Sequence, residues 1–221
     1  MLKNISHLGD SSLLIHFGDD IDLALNLRVH TLDARLQSSP NRPAGILEMV
    51  PAYATLLIHY DPLVLTCDQV TGWLEEEMAV VEEAAARKPR RIEVPVRYGG
   101  EGGPDLAFVA SMHQTTPAAI VRLHTGREYT VFMMGFTPGF PYLGRLDDAL
   151  VTPRLETPRT RVPAGSVGIA GAQTGIYPID SPGGWRLIGH TSLTLFDLGA
   201  PEPFLFTPGD TVRFLMESLH A

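Results

Sequence analysis

A chain of 221 residues, 44% hydrophobic and 19% charged, suits one large or two small domains with real cores. Its formal charge of −8 argues against nucleic acid or an anionic membrane as a general partner. No apolar run approaches the ~20 residues of a membrane span, the start MLKNISHLGD lacks a signal-peptide core, and the one cysteine, Cys67, fits a reducing compartment; the expected location is the cytoplasm.

Taken in order, residues 11–17 (SSLLIHF) read as a strand. Residues 20–36 place Ile21, Leu25, Leu32 and Leu36 at helical spacing, and Ser38-Ser39-Pro40 closes that helix. Residues 46–50 and 54–60 read as two further strands. Residues 65–88 form the clearest helix, with Val70, Trp73, Leu74, Met78 and Val81 in one stripe. Arg87 and Lys88 suit the negative end of its dipole, and Pro89 stops it. Residues 91–97 alternate as a strand. The order β-α-β-β-α-β predicts a ferredoxin-like, split βαβ domain over residues 1–90 of an α+β protein.

The second domain is expected over residues 91–221. Residues 99–104 (GGEGGP) carry the glycines of a phosphate cradle, but no lysine or Ser/Thr follows at P-loop spacing, so a surface turn is expected. Residues 105–113 and 117–124 read as short helices, and 129–136 as an apolar strand. Residues 135–197 then hold ten of the 21 glycines and seven of the 18 prolines, interleaved with aromatics. Glycine permits positive φ and close approach, whereas proline fixes φ, so these residues describe tight loops between short strands such as 166–170 and 193–196. Pro208-Gly209-Asp210 turns into a last strand over 211–216. Many short strands with two helices predict a small closed barrel.

Absences limit the chemistry. Neither lysine, Lys3 nor Lys88, follows a glycine as a Walker site requires. Ser11-Ser12 and Ser38-Ser39 have no lysine nearby in sequence, and there is no Gly-x-Ser-x-Gly elbow. The eight histidines form no His-x-His or His-Glu-x-x-His, so no metal site is expected. The catalytic residues are unassigned, and the chain does not read as a self-sufficient hydrolase.

The positive signals lie in the glycine- and proline-rich stretch. Arg154, Arg159 and Arg161 sit among Pro153, Pro158 and Pro163, a rigid loop suited to aiming guanidinium groups at an anion. The alternative is a solvated loop with Glu156 as an internal partner. Gln173 has the donor and acceptor to read an amide edge, or to hold its own turn, and Tyr177 follows closely. Phe136, Pro138, Phe140, Tyr142 and Trp185 are candidates for a groove that takes a partner chain. They serve equally well as a plug or as core.

Three segments carry a family resemblance: residues 135–142 (GFTPGFPY), 161–175 (RVPAGSVGIAGAQTG) and 177–191 (YPIDSPGGWRLIGHT). Together they resemble the allophanate hydrolase subunit 1 family, which includes the KipI type. The resemblance implies a cyclophilin-like barrel for the second domain. It also implies one subunit, of the B type, in an ATP-dependent 5-oxoprolinase that opens 5-oxo-L-proline to L-glutamate. The implied partners are a subunit-C-like protein of the allophanate hydrolase subunit 2 family and a subunit-A-like protein. ATP would be shared with them, and this chain would be inactive alone. On this reading Arg154, Arg159, Arg161, Gln173, Tyr177 and His190 are the candidates for contacts to phosphate or substrate carboxylate. His190 stands where the family pattern usually carries arginine; it keeps a donor, but its charge depends on pH. The alternatives are a KipI-like inhibitor of a sensor histidine kinase, without catalysis, and a carboxyltransferase related to urea carboxylase. A biotin-acceptor Met-Lys-Met, which the last would favour, is absent. A prolyl isomerase rests on fold analogy alone.

Overall fold

The structure is a computed structural model that describes residues 4–79 and 89–220. The chain divides into two compact units, Met1–Lys88 and Pro89–Ala221. No described helix is long and apolar enough to cross a membrane.

The first unit runs β1 (Asn4–His7), β2 (Ser12–His16), α1 (Leu23–Ser38), β3 (Ile46–Pro51), β4 (Thr55–Tyr60) and α2 (Cys67–Ala79). The expected extension of α2 over 80–88, with Val81, Arg87 and Lys88, lies outside the described residues, as does Lys3. Helix α1 starts where Asp22, in an extended conformation, accepts a hydrogen bond from the Leu25 amide at 3.0 Å. Its buried stripe of Val29, Leu32 and Leu36 packs with Val70, Trp73 and Leu74 of α2 over Leu13, Ile15, Leu56 and Ile58 of the sheet. Asn26, the polar member of that stripe, donates to the carbonyls of Ala52 and Tyr53 at 3.0 and 3.1 Å, so its burial is compensated.

The sheet order is β1-β2-β4-β3, with every pairing antiparallel. Strands β2 and β3 both oppose β4 and therefore run the same way, with α1 as the crossover between them. The ferredoxin-like expectation needs correction at one edge. The strand expected over 91–97 does not close this sheet; β1 pairs with β2 there instead. Strand β5 (Arg91–Gly99) belongs to the second unit, because alternate residues Val94, Val96 and Tyr98 bury fully in its core.

That unit is a closed barrel of order β10-β7-β6-β13-β5-β12-β9. Its further strands are β6 (Glu128–Met134), β7 (Pro141–Gly144), β9 (Ser166–Ala170), β10 (Gln173–Ile176), β12 (Arg186–His190) and β13 (Thr211–His220). A separate ribbon pairs β8 (Arg159–Val162) with β11 (Ser181–Gly183). Strand β13 runs parallel to β5 and antiparallel to β6. Residues 193–196 are not the strand that was expected. They are irregular, with Phe196 bridging Phe204 while Leu193 and Leu195 pack on the barrel core.

Helices α3 (Leu106–Met112) and α4 (Pro117–Thr125) fall close to expectation. Pro117 and the Thr116 cap, which accepts from the Ala119 amide at 3.2 Å, set the start of α4. This helix buries His124 completely. The Thr174 hydroxyl donates to the Gly168 carbonyl at 3.0 Å, so it must accept from His124 Nε2–H at 2.9 Å. Nδ1 is then left to accept from the Tyr98 hydroxyl at 2.7 Å. Burial holds His124 down to about 3 and pushes the Tyr98 hydroxyl well up. Asp210 closes the turn before β13. Burial pushes its carboxyl up, but hydrogen bonds from Arg90 (2.6 Å at the closest) and Thr207 outweigh that and hold it at about 2.

Candidate functional site

The sequence candidates separate into an aromatic nest, an arginine loop and a cleft, all on the barrel unit. Phe140 is the centre of the nest. Its ring lies 4.9 Å from Tyr142, 5.2 Å from Tyr177, 5.4 Å from Trp185 and 5.6 Å from Phe136, all edge-on or tilted. Phe140, Tyr177 and Trp185 are buried and belong to one core cluster with Val162, Ala170 and Leu187, and Tyr142 packs against it. Gly183 is where the nest needs a glycine, since a Cβ there would collide with the Tyr177 hydroxyl. Burial raises the Tyr177 hydroxyl, partly offset by a hydrogen bond with the Trp185 backbone and by the charges of Arg154 and Arg159.

Phe136 differs from the rest: it is 60% exposed and holds a positive φ of 62°, which is strained for a bulky residue. With Met134, Thr137, Pro138 and Phe204 it lines an open surface recess of about 350 Å³. Of the five groove candidates, Phe136 and Pro138 therefore face outward. Phe140, Tyr142 and Trp185 support them from beneath.

The arginine loop is mostly engaged internally. Arg159 forks onto Asp105, with Nη2 2.9 Å from each carboxylate oxygen, and reaches the Trp185 carbonyl at 3.3 Å. Asp105 also accepts from the Leu187 amide at 2.7 Å, so the pair ties the start of α3 to β8 and β12. Where the expectation has Arg159 meeting an external anion, its Nη2 already holds a carboxylate of this chain. Sequence reading missed Asp105, which carries no local motif. Arg161 is exposed and pairs with Asp180 at 2.6 Å; Asp180 also accepts from the Ala164 amide at 2.9 Å. Arg154 is exposed, makes no ion pair among the described residues, and acts electrostatically on both Tyr142 and Tyr177. Gln173 opens β10, opposite Ala170 on β9.

His190 lies apart from this group, at the end of β12. Its Nε2 is 2.9 Å from the Ala164 carbonyl, which can only accept, so Nε2 carries the proton. It lines a cleft of about 590 Å³ with Arg97, Glu101, Ser166 and His220. Arg97 was not singled out by sequence, although the alternation of β5 already placed it on the outer face. Among the described residues no group of three His, Cys, Asp or Glu side chains could hold a metal ion.

A profile of the carboxyltransferase domain, subdomain C and D, matches residues 3–206. The chain belongs to this family. Membership agrees with the resemblance carried by the segments at 135–142, 161–175 and 177–191. Among relatives of the family, the 5-oxoprolinase B subunit of Bacillus subtilis is 42% identical, over 96% of this chain and 91% of its own. The protein of the same name from Escherichia coli O157:H7 is 45% identical, over 94% of this chain and 93% of its own. The crystal structure of TTHA0988 superposes with a TM-score of 0.83 at 40% identity over 94% of this chain, which spans only 40% of that longer protein.

Proposed function

We propose that this chain is the B-type component of an ATP-dependent 5-oxoprolinase, opening 5-oxo-L-proline to L-glutamate only when assembled. The observation that carries this reading is identity of 42–45% to two 5-oxoprolinase components of that type, over more than 90% of both chains. Amide resonance makes the lactam hard to hydrolyse, and coupling to phosphoryl transfer supplies the driving force. The partners in this reading are a subunit-C-like protein of the allophanate hydrolase subunit 2 family and a subunit-A-like protein. The barrel is of cyclophilin type, and the protein works in the cytoplasm.

The described residues do not by themselves fit a nucleoside triphosphate. The glycine-rich turn at 99–103 sits beside one arginine, Arg97, and one carboxylate, Glu101, too little positive charge for a polyphosphate. In this reading ATP binds at a site that the partner subunits supply. Of the predicted contacts, Arg154 and Gln173 remain as groups for substrate or partner. Tyr177, Arg159 and Arg161 position the surface around them, and Phe136 with Pro138 forms the partner recess.

The test is reconstitution. The purified chain, given ATP and 5-oxo-L-proline, should release no glutamate, and adding the C-like and A-like subunits should restore release. Turnover by the isolated chain, or none by the full set, removes this reading.

A further inference from the structure

The cleft on the outer face of the barrel has a feature that the nest and the arginine loop lack. Strand register builds it: Arg97 of β5 lies opposite His190 of β12, which in turn lies opposite Ser166 of β9. Directly opposed residues on one sheet face bring their Cβ atoms within roughly 4.5–5.5 Å, so guanidinium and imidazole share one wall. His220, at the end of β13, pairs in register with Gly99 and completes the lining beside them. Alternation along β5 sends Val96 and Tyr98 into the core and Arg97 outward.

Three observations mark this wall as a binding surface. Arg97 is exposed to the cleft and makes no ion pair among the described residues, whereas Arg159 and Arg161 are both committed to carboxylates. His190 Nδ1 is buried without a hydrogen-bond partner among the described residues, although Nε2–H is fixed by Ala164. A buried polar atom left unpaired is rare, and a ligand N–H or O–H that reaches it would satisfy it. Gly102 closes tightly on the base of the same side chain, since a Cβ there would sit 2.8 Å from the Cβ of His190. The turn can approach only because it is glycine.

The charge of the lining selects the ligand class. One guanidinium, one carboxylate and two imidazoles offer too little positive charge for a polyphosphate, but a single carboxylate matches the fork of one arginine. A volume of about 590 Å³ lies within the range of small-molecule pockets. We propose that this cleft binds a small monocarboxylic acid, with Arg97 forking its carboxylate and His190 lining its polar edge. That the acid is 5-oxo-L-proline rests on the function proposed above; the carboxylate site itself does not.

Calorimetric titration of the full chain tests this, with 5-oxo-L-proline, cyclopentanecarboxylate, 2-pyrrolidinone and inorganic phosphate as probes. At least one of the two carboxylates should bind saturably, and 2-pyrrolidinone, the lactam ring without its carboxylate, should bind about tenfold more weakly or not at all. Arg97→Ala should weaken carboxylate binding about tenfold or more, and Arg97→Lys should recover part of it, with thermal melts confirming that both variants fold. Binding of cyclopentanecarboxylate but not 5-oxo-L-proline, lost in Arg97→Ala, upholds the cleft while depriving the proposed function of its substrate here. The proposal is overturned if neither carboxylate binds, if both Arg97 variants bind like the parent, or if phosphate binds more tightly than either carboxylate.

Discussion

Arg159 shows how a residue with the expected chemistry can be put to another use. Pro158 and Pro163 flank it as the sequence has them, but residues 159–162 form strand β8 where a rigid loop is expected, and the guanidinium closes on Asp105, 54 residues away. Asp105 in turn accepts from the Leu187 amide and has Arg186 Nη1 4.0 Å away, so removing Arg159 leaves a largely buried carboxylate with one backbone donor and one longer ion pair. Arg159→Ala should therefore destabilise the fold by about 2–3 kcal/mol, read as a lower urea midpoint with an unchanged slope. Arg159→Lys should recover only part of that, because one ammonium cannot hold both Asp105 and the Trp185 carbonyl, which the guanidinium reaches with different nitrogens. Once corrected for the unfolded fraction, activity of the reconstituted enzyme should match the parent. A variant as stable as the parent but inactive would restore Arg159 to the anion-binding set.

At the scale of the element, α4 carries the clearest pH dependence. His124 is locked neutral between Tyr98 and Thr174, with its folded value at about 3 against an ordinary value of 6.5. The unfolded chain therefore binds a proton that the folded one refuses. Stability from this group is complete above pH ~6.5 and falls as pH drops from there toward 3, by about 1.4 kcal/mol per unit. Asp210, held at about 2, acts in a lower window: its contribution is present above the ordinary carboxylate range and is lost as pH falls through 2. Denaturant unfolding between pH 7 and pH 4 should show the first effect, and His124→Gln should flatten the slope relative to the parent. Parallel slopes for the two proteins would mean that the histidine is not held neutral.

For the whole molecule, the decisive fact is which unit owns β5. This strand lies between β13 and β12 in the closed barrel, so a fragment that begins at Asp105 lacks a wall of its own core. Arg90, just before it, is tied to Asp210 and to the Leu205 carbonyl at 2.9 Å. A fragment of residues 89–221 should fold alone and give well-dispersed amide spectra, whereas 105–221 should collapse into a poorly dispersed state. Good dispersion from the shorter fragment would show that the barrel closes without β5.

Much of this was present in the sequence. Periodicity and caps located α1, α3, α4 and the start of α2 to within a few residues, because a helix is decided by side chains one or two turns apart and by the residues at its ends. The motifs at 135–142, 161–175 and 177–191 sufficed for the family. The short strands β7, β8, β10, β11 and β12 were not separately visible, since three to five residues rich in glycine and proline carry too little alternation to read. Only the tertiary structure assigned the strand at 91–99 to the barrel, set Asp105 against Arg159, and brought Arg97 beside His190. Each of those depends on residues far apart in the chain, and the pairing of strands and charges is decided by the surface each can bury, which no local pattern contains.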